Sequence, residues 1–206
     1  MGHIVGVLLC AGASSRMGRA DKLLAPLGCR PLIAHAAETL VQSPLTSLVA
    51  VLPPGAAALN EALDTAAPQI ARVINPDPAS GIGRSLALGV QALEATKPDG
   101  IAVFLGDMPF IRPQTVMDLV AVFQASDGSC VVRPTLNGQP GHPVVWPGHA
   151  IPLLKTLTGE AGGQSLRNET MFAWRDVQVA DEGVTFDVDT PGSLAQARRR
   201  LAKTQR

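Results

Sequence analysis

Ile4-Val5-Gly6-Val7-Leu8-Leu9 runs into Cys10-Ala11-Gly12-Ala13-Ser14-Ser15-Arg16-Met17-Gly18, and Lys22 follows shortly after. An apolar run of this kind is what a strand covered on both faces requires, as in a parallel sheet with helices above and below. The segment after it is built of glycine and small residues, so its backbone amides are bare, and it carries one guanidinium and one ammonium. Amides and arginine give directed hydrogen bonds to phosphate oxygens, and lysine adds a mobile point charge. The order therefore reads as a buried strand delivering a polyphosphate-binding loop to the carboxyl edge of a sheet. A solvated loop with a short charge run is the plainer alternative.

Spacing excludes two common phosphate motifs. Gly12 and Gly18 stand six apart with no Lys-Ser or Lys-Thr pair after Gly18, so the loop is not a Walker A. The dinucleotide pattern G-x-G-x-x-G is absent as well, since its nearest match, Gly81-Ile82-Gly83-Arg84-Ser85-Leu86, lacks the third glycine.

At 206 residues the expected unit is a single domain over 1–206, with a nucleotide-binding half at 1–125 and an acceptor-binding elaboration at 126–190. Seventeen acidic side chains balance 17 basic ones, so no overall field draws a nucleic-acid backbone or an anionic membrane. No stretch approaches the roughly 20 apolar residues of a membrane span, and the N-terminal run is too short for a signal peptide. A soluble, cytoplasmic protein is expected. The three cysteines, Cys10, Cys29 and Cys130, share no metal or disulfide spacing and read as small buried hydrophobes. The four histidines are scattered, which argues against a transition-metal site.

Apolar runs alternate with helical patterns along the chain, the signature of an α/β sheet with helices on both faces. Pro31 sits where a first helical residue would, ahead of an apolar stripe from Leu32 to Val41. Strands are expected at 47–52, 72–74 and 101–105, and helices at about 56–66, 83–95 and from Pro113 onward. Cys130-Val131-Val132-Arg133 and Pro143-Val144-Val145-Trp146 read as further strands joined by a glycine-rich link. Thr190 is placed to cap a last helix that starts at Pro191.

Asp107 and Asp189 are the acids of interest, because each follows an apolar run whose end projects over the carboxyl edge. Read as the strand Phe186-Asp187-Val188-Asp189, the second segment puts Asp187 and Asp189 on one face. Two carboxylates facing a polyphosphate suit Mg²⁺, which takes one or two protein carboxylates plus phosphate oxygens. Capping of the following helices is the competing role.

With these segments assembled, the chain resembles the MobA-like nucleotidyltransferase superfamily, and within it the molybdenum cofactor cytidylyltransferases. Leu9 to Gly18 with Lys22 is similar to the family signature L-A-A-G-x-S-x-R-M-G-x-x-K, with Cys10 replacing the first alanine. Gly106-Asp107-Met108-Pro109, Gly141-His142-Pro143 and Asp187-Val188-Asp189-Thr190-Pro191 resemble its G-D-M-P, G-H-P and D-I-D-T-P. Glu160-Ala161-Gly162-Gly163-Gln164 departs from the family's acidic residue, glycine and arginine in close order.

The resemblance implies a Rossmann-like three-layer sandwich of the nucleotide-diphospho-sugar transferase type, with a mostly parallel sheet. It implies Mg²⁺-dependent transfer of CMP from CTP to the phosphate of molybdopterin, with release of pyrophosphate. Arg16, Lys22 and Asp107 are then catalytic, and Asp107 and Asp189 hold the metal. Nucleotide contacts fall on Leu9, Ala11, Gly12, Ala13, Ser14, Ser15, Arg16, Lys22, Ser80, Gly81 and Ser85, with Gly81 and Ser85 near the base and favouring cytosine over guanine. His142 and Pro109 fall on the acceptor side, although His142 fits loop packing equally well. Trp146 and Trp174 fit either stacking on a pterin or anchoring the core. The expected partner is a molybdenum hydroxylase or its maturation factor. Alternatives are a guanylyltransferase on the same cofactor, a sugar-phosphate or methylerythritol-phosphate nucleotidyltransferase, and a non-catalytic nucleotide sensor.

Overall fold

The computed structural model describes residues 2–12 and 22–204. In chain order it has β1 (Ile4–Leu9), a 3-10 turn (Lys22–Leu24), a small ribbon of β2 (Pro26–Leu27) and β3 (Arg30–Pro31), and α1 (Leu32–Val41). Then come β4 (Leu48–Leu52), α2 (Ala57–Ala66), β5 (Ala71–Ile74), α3 (Ile82–Leu93), β6 (Gly100–Leu105) and α4 (Pro113–Ala125). The last part holds β7 (Cys130–Leu136), β8 (Gln139–Pro140), β9 (Val144–Pro147), α5 (Ile151–Leu154), β10 (Ala173–Gln178) and α6 (Pro191–Thr204).

The main sheet runs β10-β7-β9-β6-β1-β4-β5, with the short β8 paired to β7. β1 lies parallel to both β4 and β6. The chain therefore builds outward on one side of β1, returns through α3, and continues on the other. Such a reversal opens a crevice at the carboxyl ends of the two strands that flank it, here β1 and β6. β9 runs antiparallel to both of its neighbours. Its first residue, Val144, consequently stands opposite Val103 near the carboxyl end of β6, and the loop entering β9 reaches the same edge as the loop leaving β6.

Every residue of β1 is buried, and alternation sends its side chains to two separate cores. Ile4 and Leu8 join Ile33, Ala37, Phe104 and Phe123 on one face. Val5, Val7 and Leu9 meet Leu86, Val90 and Trp146 on the other. Each such side chain contributes about 1.5–3 kcal/mol by leaving water. α3 sits very close to the sheet because Gly89 has no side chain: a Cβ there would lie 2.5 Å from Val7 Cγ1. That close seat holds the start of α3 beside the end of β1.

The α/β sandwich expected from the alternation is present, and three local expectations change. Pro31 does not enter α1 but stands just ahead of it as the N-terminal flanking residue, paired in β3. Phe186 to Asp189 is not a strand: a 3-10 turn (Glu182–Thr185) precedes it, and the Val188 amide donates to the Asp107 carbonyl (3.0 Å) rather than to a sheet ladder. Cys10 and Cys130 are buried as expected, whereas Cys29 is exposed because it lies in the β2–β3 turn. β10 is an edge strand whose alternation is mostly polar, so no apolar run announced it. Among the described residues, no helix is long and apolar enough to cross a membrane.

Candidate active site

At the end of β1 the chain stays in register for one more step. The Cys10 amide donates to the Val51 carbonyl (2.9 Å), and the Gly106 amide donates to the Leu9 carbonyl (2.9 Å). Leu9 and Ala11 are buried there, while Gly12 is exposed and has open space where a side chain would stand. Ala13, Ser14, Ser15 and Arg16 lie outside the described residues.

Lys22 opens the 3-10 turn, which is closed by the Ala25 amide on the Lys22 carbonyl (3.1 Å) and anchored by buried Leu23. Asp107 follows β6 directly, in a tight turn closed by the Met108 amide on the Leu105 carbonyl (3.3 Å). Asp189 is fixed by the start of α6. The Ser193 hydroxyl accepts from the Asp189 and Thr190 amides (3.0 Å each), and the Thr190 hydroxyl accepts from the Ser193 amide (3.1 Å). This is the Thr190 cap expected from the sequence.

The three charged groups meet. Lys22 Nζ donates to Asp107 Oδ2 at 2.6 Å and also to Asp189 Oδ1. The three side chains are only 11%, 17% and 34% exposed in the order Lys22, Asp107, Asp189. Burial alone would lower the Lys22 pKa, but the charge of Asp107 and hydrogen bonds to both carboxylates outweigh it and hold the ammonium above its ordinary value. The Asp187 carboxyl is also pushed above its ordinary value, first by desolvation and then by a hydrogen bond to Asp189 and that group's charge.

Asp107 Oδ1 is buried and has no hydrogen-bond partner among the described residues. A buried carboxylate oxygen left this way is costly unless a cation or donor comes to it. Since one ammonium touches both aspartates, the pair lies within the span of a single bound cation. No group of three or more His, Cys, Asp or Glu side chains able to hold a metal occurs among the described residues. Two carboxylates completed by phosphate oxygens and water suit Mg²⁺ or Mn²⁺ better than zinc.

The second glycine-containing loop lies at the start of α3. Gly81 has φ +91°, and a Cβ there would come within 2.3 Å of the Gly159 carbonyl carbon. Reciprocal backbone bonds tie the two loops together: the Gly159 amide donates to the Ser80 carbonyl (2.8 Å), and the Gly83 amide donates to the Gly159 carbonyl (2.9 Å). Ser85 is buried, and its hydroxyl accepts from Asn75 Nδ2 (3.0 Å), so it braces the loop from within.

Beyond these loops a cavity of about 270 Å³ opens over β6, β9 and β10. His142 lines it, with Nδ1 3.4 Å from the Val103 carbonyl and its pKa lowered by burial. Trp146 is part of the core, while Trp174 is partly buried and forms cavity wall. Pro109 is buried and does not line the cavity, because the turn after β6 folds it inward. Arg133, Gln164 and Arg167 do line it. They were missed because they are scattered among a strand and a 3-10 segment with no shared period, and only the family departure at 160–164 pointed near them.

Residues 6–176 match the family described as the MobA-like NTP transferase domain. This chain belongs to that family. The MobA-like transferase is 31% identical over 192 residues to nicotine blue oxidoreductase of Paenarthrobacter nicotinovorans, covering 91% of this chain and 92% of the relative. It is 29% identical over 206 residues to the purine catabolism protein PucB of Bacillus subtilis, covering 97% and 98%. Its fold superposes with a TM-score of 0.76 on the crystal structure of Rv0371c from Mycobacterium tuberculosis in complex with manganese, at 22% identity and over 96% and 98% of the two chains. As a MobA-like transferase the chain is an enzyme of the nucleotidyltransferase type.

Proposed function

We propose that this enzyme transfers CMP from CTP to the phosphate of a molybdopterin-type acceptor. The observation that carries the reading is the convergence of Lys22, Asp107 and Asp189 at the carboxyl edge beside the loop after β1. An oxygen of the acceptor phosphate attacks the α-phosphorus, one P–O bond forms, and the bond to the bridging oxygen breaks as pyrophosphate leaves. Both reactants are anions, so charge is the main obstacle, and no covalent enzyme intermediate is needed.

Each part of the site has work in that step. Lys22 is held protonated by its two carboxylate neighbours, and its ammonium offsets negative charge on the triphosphate and on the leaving pyrophosphate. Gly12, exposed and without a side chain, lets phosphate oxygens approach the backbone. Arg16 supplies a directed cationic donor. Asp107 and Asp189 would hold Mg²⁺, which when bound neutralises phosphate charge and makes the phosphorus more electrophilic. The unpartnered Asp107 Oδ1 fits that role, and the manganese in the Rv0371c structure is of the same divalent class. Gly81, and Ser85 held by Asn75, would lie near the cytosine ring, as the resemblance implies. His142 lines the cavity on the acceptor side. A molybdenum hydroxylase or its maturation factor would receive the product.

Thermal unfolding with each nucleoside triphosphate and Mg²⁺ tests the first half of this reading. CTP at 100 times its Kd should add about 2.7 kcal/mol of stability, with GTP giving less. Pyrophosphate release from CTP and molybdopterin tests the second half. A larger shift with GTP would replace cytidylyl by guanylyl transfer. Binding without release under any acceptor would make the protein a sensor.

A further inference from the structure

Asp107 and Asp189 come from segments far apart in the chain, and the contacts between those segments run through one buried acid. Asp181, 3% exposed, stands just ahead of the 3-10 turn (Glu182–Thr185) that precedes Asp189. Its Oδ1 accepts from the Gly183 amide (2.9 Å) and so caps that turn. Its Oδ2 reaches the other segment, accepting from the Arg112 amide (2.9 Å) and the Thr115 hydroxyl (2.7 Å) at the start of α4. Arg112 Nε adds its charge 3.8 Å from Oδ1. A buried carboxylate is costly unless donors surround it, and the positive end of α4 favours it further. Arg112 gives α4 no side-chain cap of its own, so a residue from much later in the chain does that work.

These bonds form one end of a seam between the chain after β6 and the chain before α6. Along the seam Gly183 lies so close to the first segment that a Cβ would stand 2.1 Å from the Phe110 carbonyl oxygen, and Phe110 meets Phe186 edge to face at 5.6 Å. At its other end the Val188 amide donates to the Asp107 carbonyl (3.0 Å). Asp107 and Asp189 both stand at that end. The same turn seats the loop entering β9, since the Val184 carbonyl accepts from the His142 amide (2.9 Å). Both oxygens of Asp181 face protein donors, so its influence on the site passes through its neighbours. We propose that Asp181 is a positioning residue: by fixing the turn before Asp189 to the start of α4, it sets the separation of the Asp107 and Asp189 carboxylates for a divalent ion. This deepens the nucleotidyl-transfer reading and rests on it. Carboxylates already held at the right spacing bind the ion without first ordering two loops, which is how groups behind metal ligands raise affinity.

Binding of Mn²⁺ without nucleotide, read from the electron paramagnetic resonance of the free ion, tests this apart from turnover. Asp181→Asn keeps the size of the side chain but turns an NH₂ group toward one of its donors. It should weaken the Mn²⁺ Kd about tenfold. Thr115→Val removes one donor and leaves the carboxylate, and should weaken the Kd about threefold, whereas Thr115→Ser should restore it. Phe123→Leu loosens the core against Gly100, at the opposite end of β6 from Asp107. It should lower Tm and leave the Kd unchanged, so that lost stability alone is told apart from lost positioning. Wild-type affinity in Asp181→Asn overturns the proposal, as does an equal weakening in Phe123→Leu. If Asp181→Asn does not fold, the Thr115 variants decide alone, and wild-type affinity in Thr115→Val overturns it. Asp107→Ala separates the two readings. Should it bind Mn²⁺ as tightly as the wild type, the metal assignment behind nucleotidyl transfer fails and the positioning role falls with it. Loss of binding in Asp107→Ala, with none in the Asp181 and Thr115 variants, sinks the positioning role alone.

Discussion

The crevice at β1 and β6 and the cavity over β9 and β10 share one edge of the sheet and hold ligands by different physics. In the crevice, an ammonium and two carboxylates meet at hydrogen-bond distance, with little apolar surface between them. In the cavity, two indoles and aliphatic side chains make much of the wall, two guanidinium groups lie over the Trp174 ring, and the Glu160 carboxylate also lines the space. The division suits a reaction that must neutralise phosphate charge at one end of a substrate and distinguish a ring at the other. It also separates rate from selectivity, so changes in the two regions should be told apart by what they alter.

The sharpest break is Asp107→Ala. Pyrophosphate release should fall on the order of 10³-fold, as for removal of a group that acts on developing charge, while pterin binding in the cavity persists. Next is Lys22→Met, which should cost turnover about 10²-fold. It should also tighten Mn²⁺ binding in the absence of nucleotide about tenfold, because the ammonium that pairs with one oxygen of each carboxylate is gone. The free-ion signal of Mn²⁺ in electron paramagnetic resonance reads this directly, and unchanged affinity would show that Lys22 does not compete with the metal.

Gly81→Ala tests the join between the regions. With φ at +91° and Gly159 in the way, it should lose about 1–3 kcal/mol in urea unfolding. It should also raise the KM values for nucleotide and acceptor together.

The smallest effect is pH dependence. Burial lowers the pKa of His142 and, with partial burial, that of His35 below the ordinary 6.5. Below that value the unfolded chain takes up protons that the fold resists, so stability should drop as pH falls from about 7 toward 5. Each kcal/mol of this linkage lowers Tm by about 2–4 °C, and His142→Gln should flatten the slope. Asp176 acts in a separate, more acidic window: its hydrogen bond to Arg133 holds its pKa below 3.8, so its contribution is lost only as pH falls below that value.

The crevice was largely legible because its signals are local. An apolar run ending in glycine places Asp107 at a strand end, and Thr190 ahead of Pro191 marks a helix start. Asp189 does stand beside Lys22 and Asp107, but not as the end of a strand. Its position comes from the Val188 amide bonded to the Asp107 carbonyl and from the Ser193 cap. That both acids reach the Lys22 ammonium depends on long-range packing, which periodicity does not encode, and the expectation from sequence was a shared metal ion with Lys22 turned to the triphosphate. The cavity was mostly illegible for the same reason. Arg133 and Trp174 come together only because β10 pairs with β7, with Trp174 opposite Val131, and β10 has too polar a pattern to be read as a strand. Trp146 could be assigned to the core or to a ligand until β9 was seen to lie between β6 and β7.

The paired backbone bonds among Ser80, Gly83 and Gly159 constrain how relatives of this enzyme can diverge. An insertion in either loop would break both bonds at once, so new acceptors are most readily recruited by exchanging side chains around an unaltered spine. Chimaeras that transplant residues 126–190 from one relative into another should therefore fold best when residues 80–83 travel with the graft.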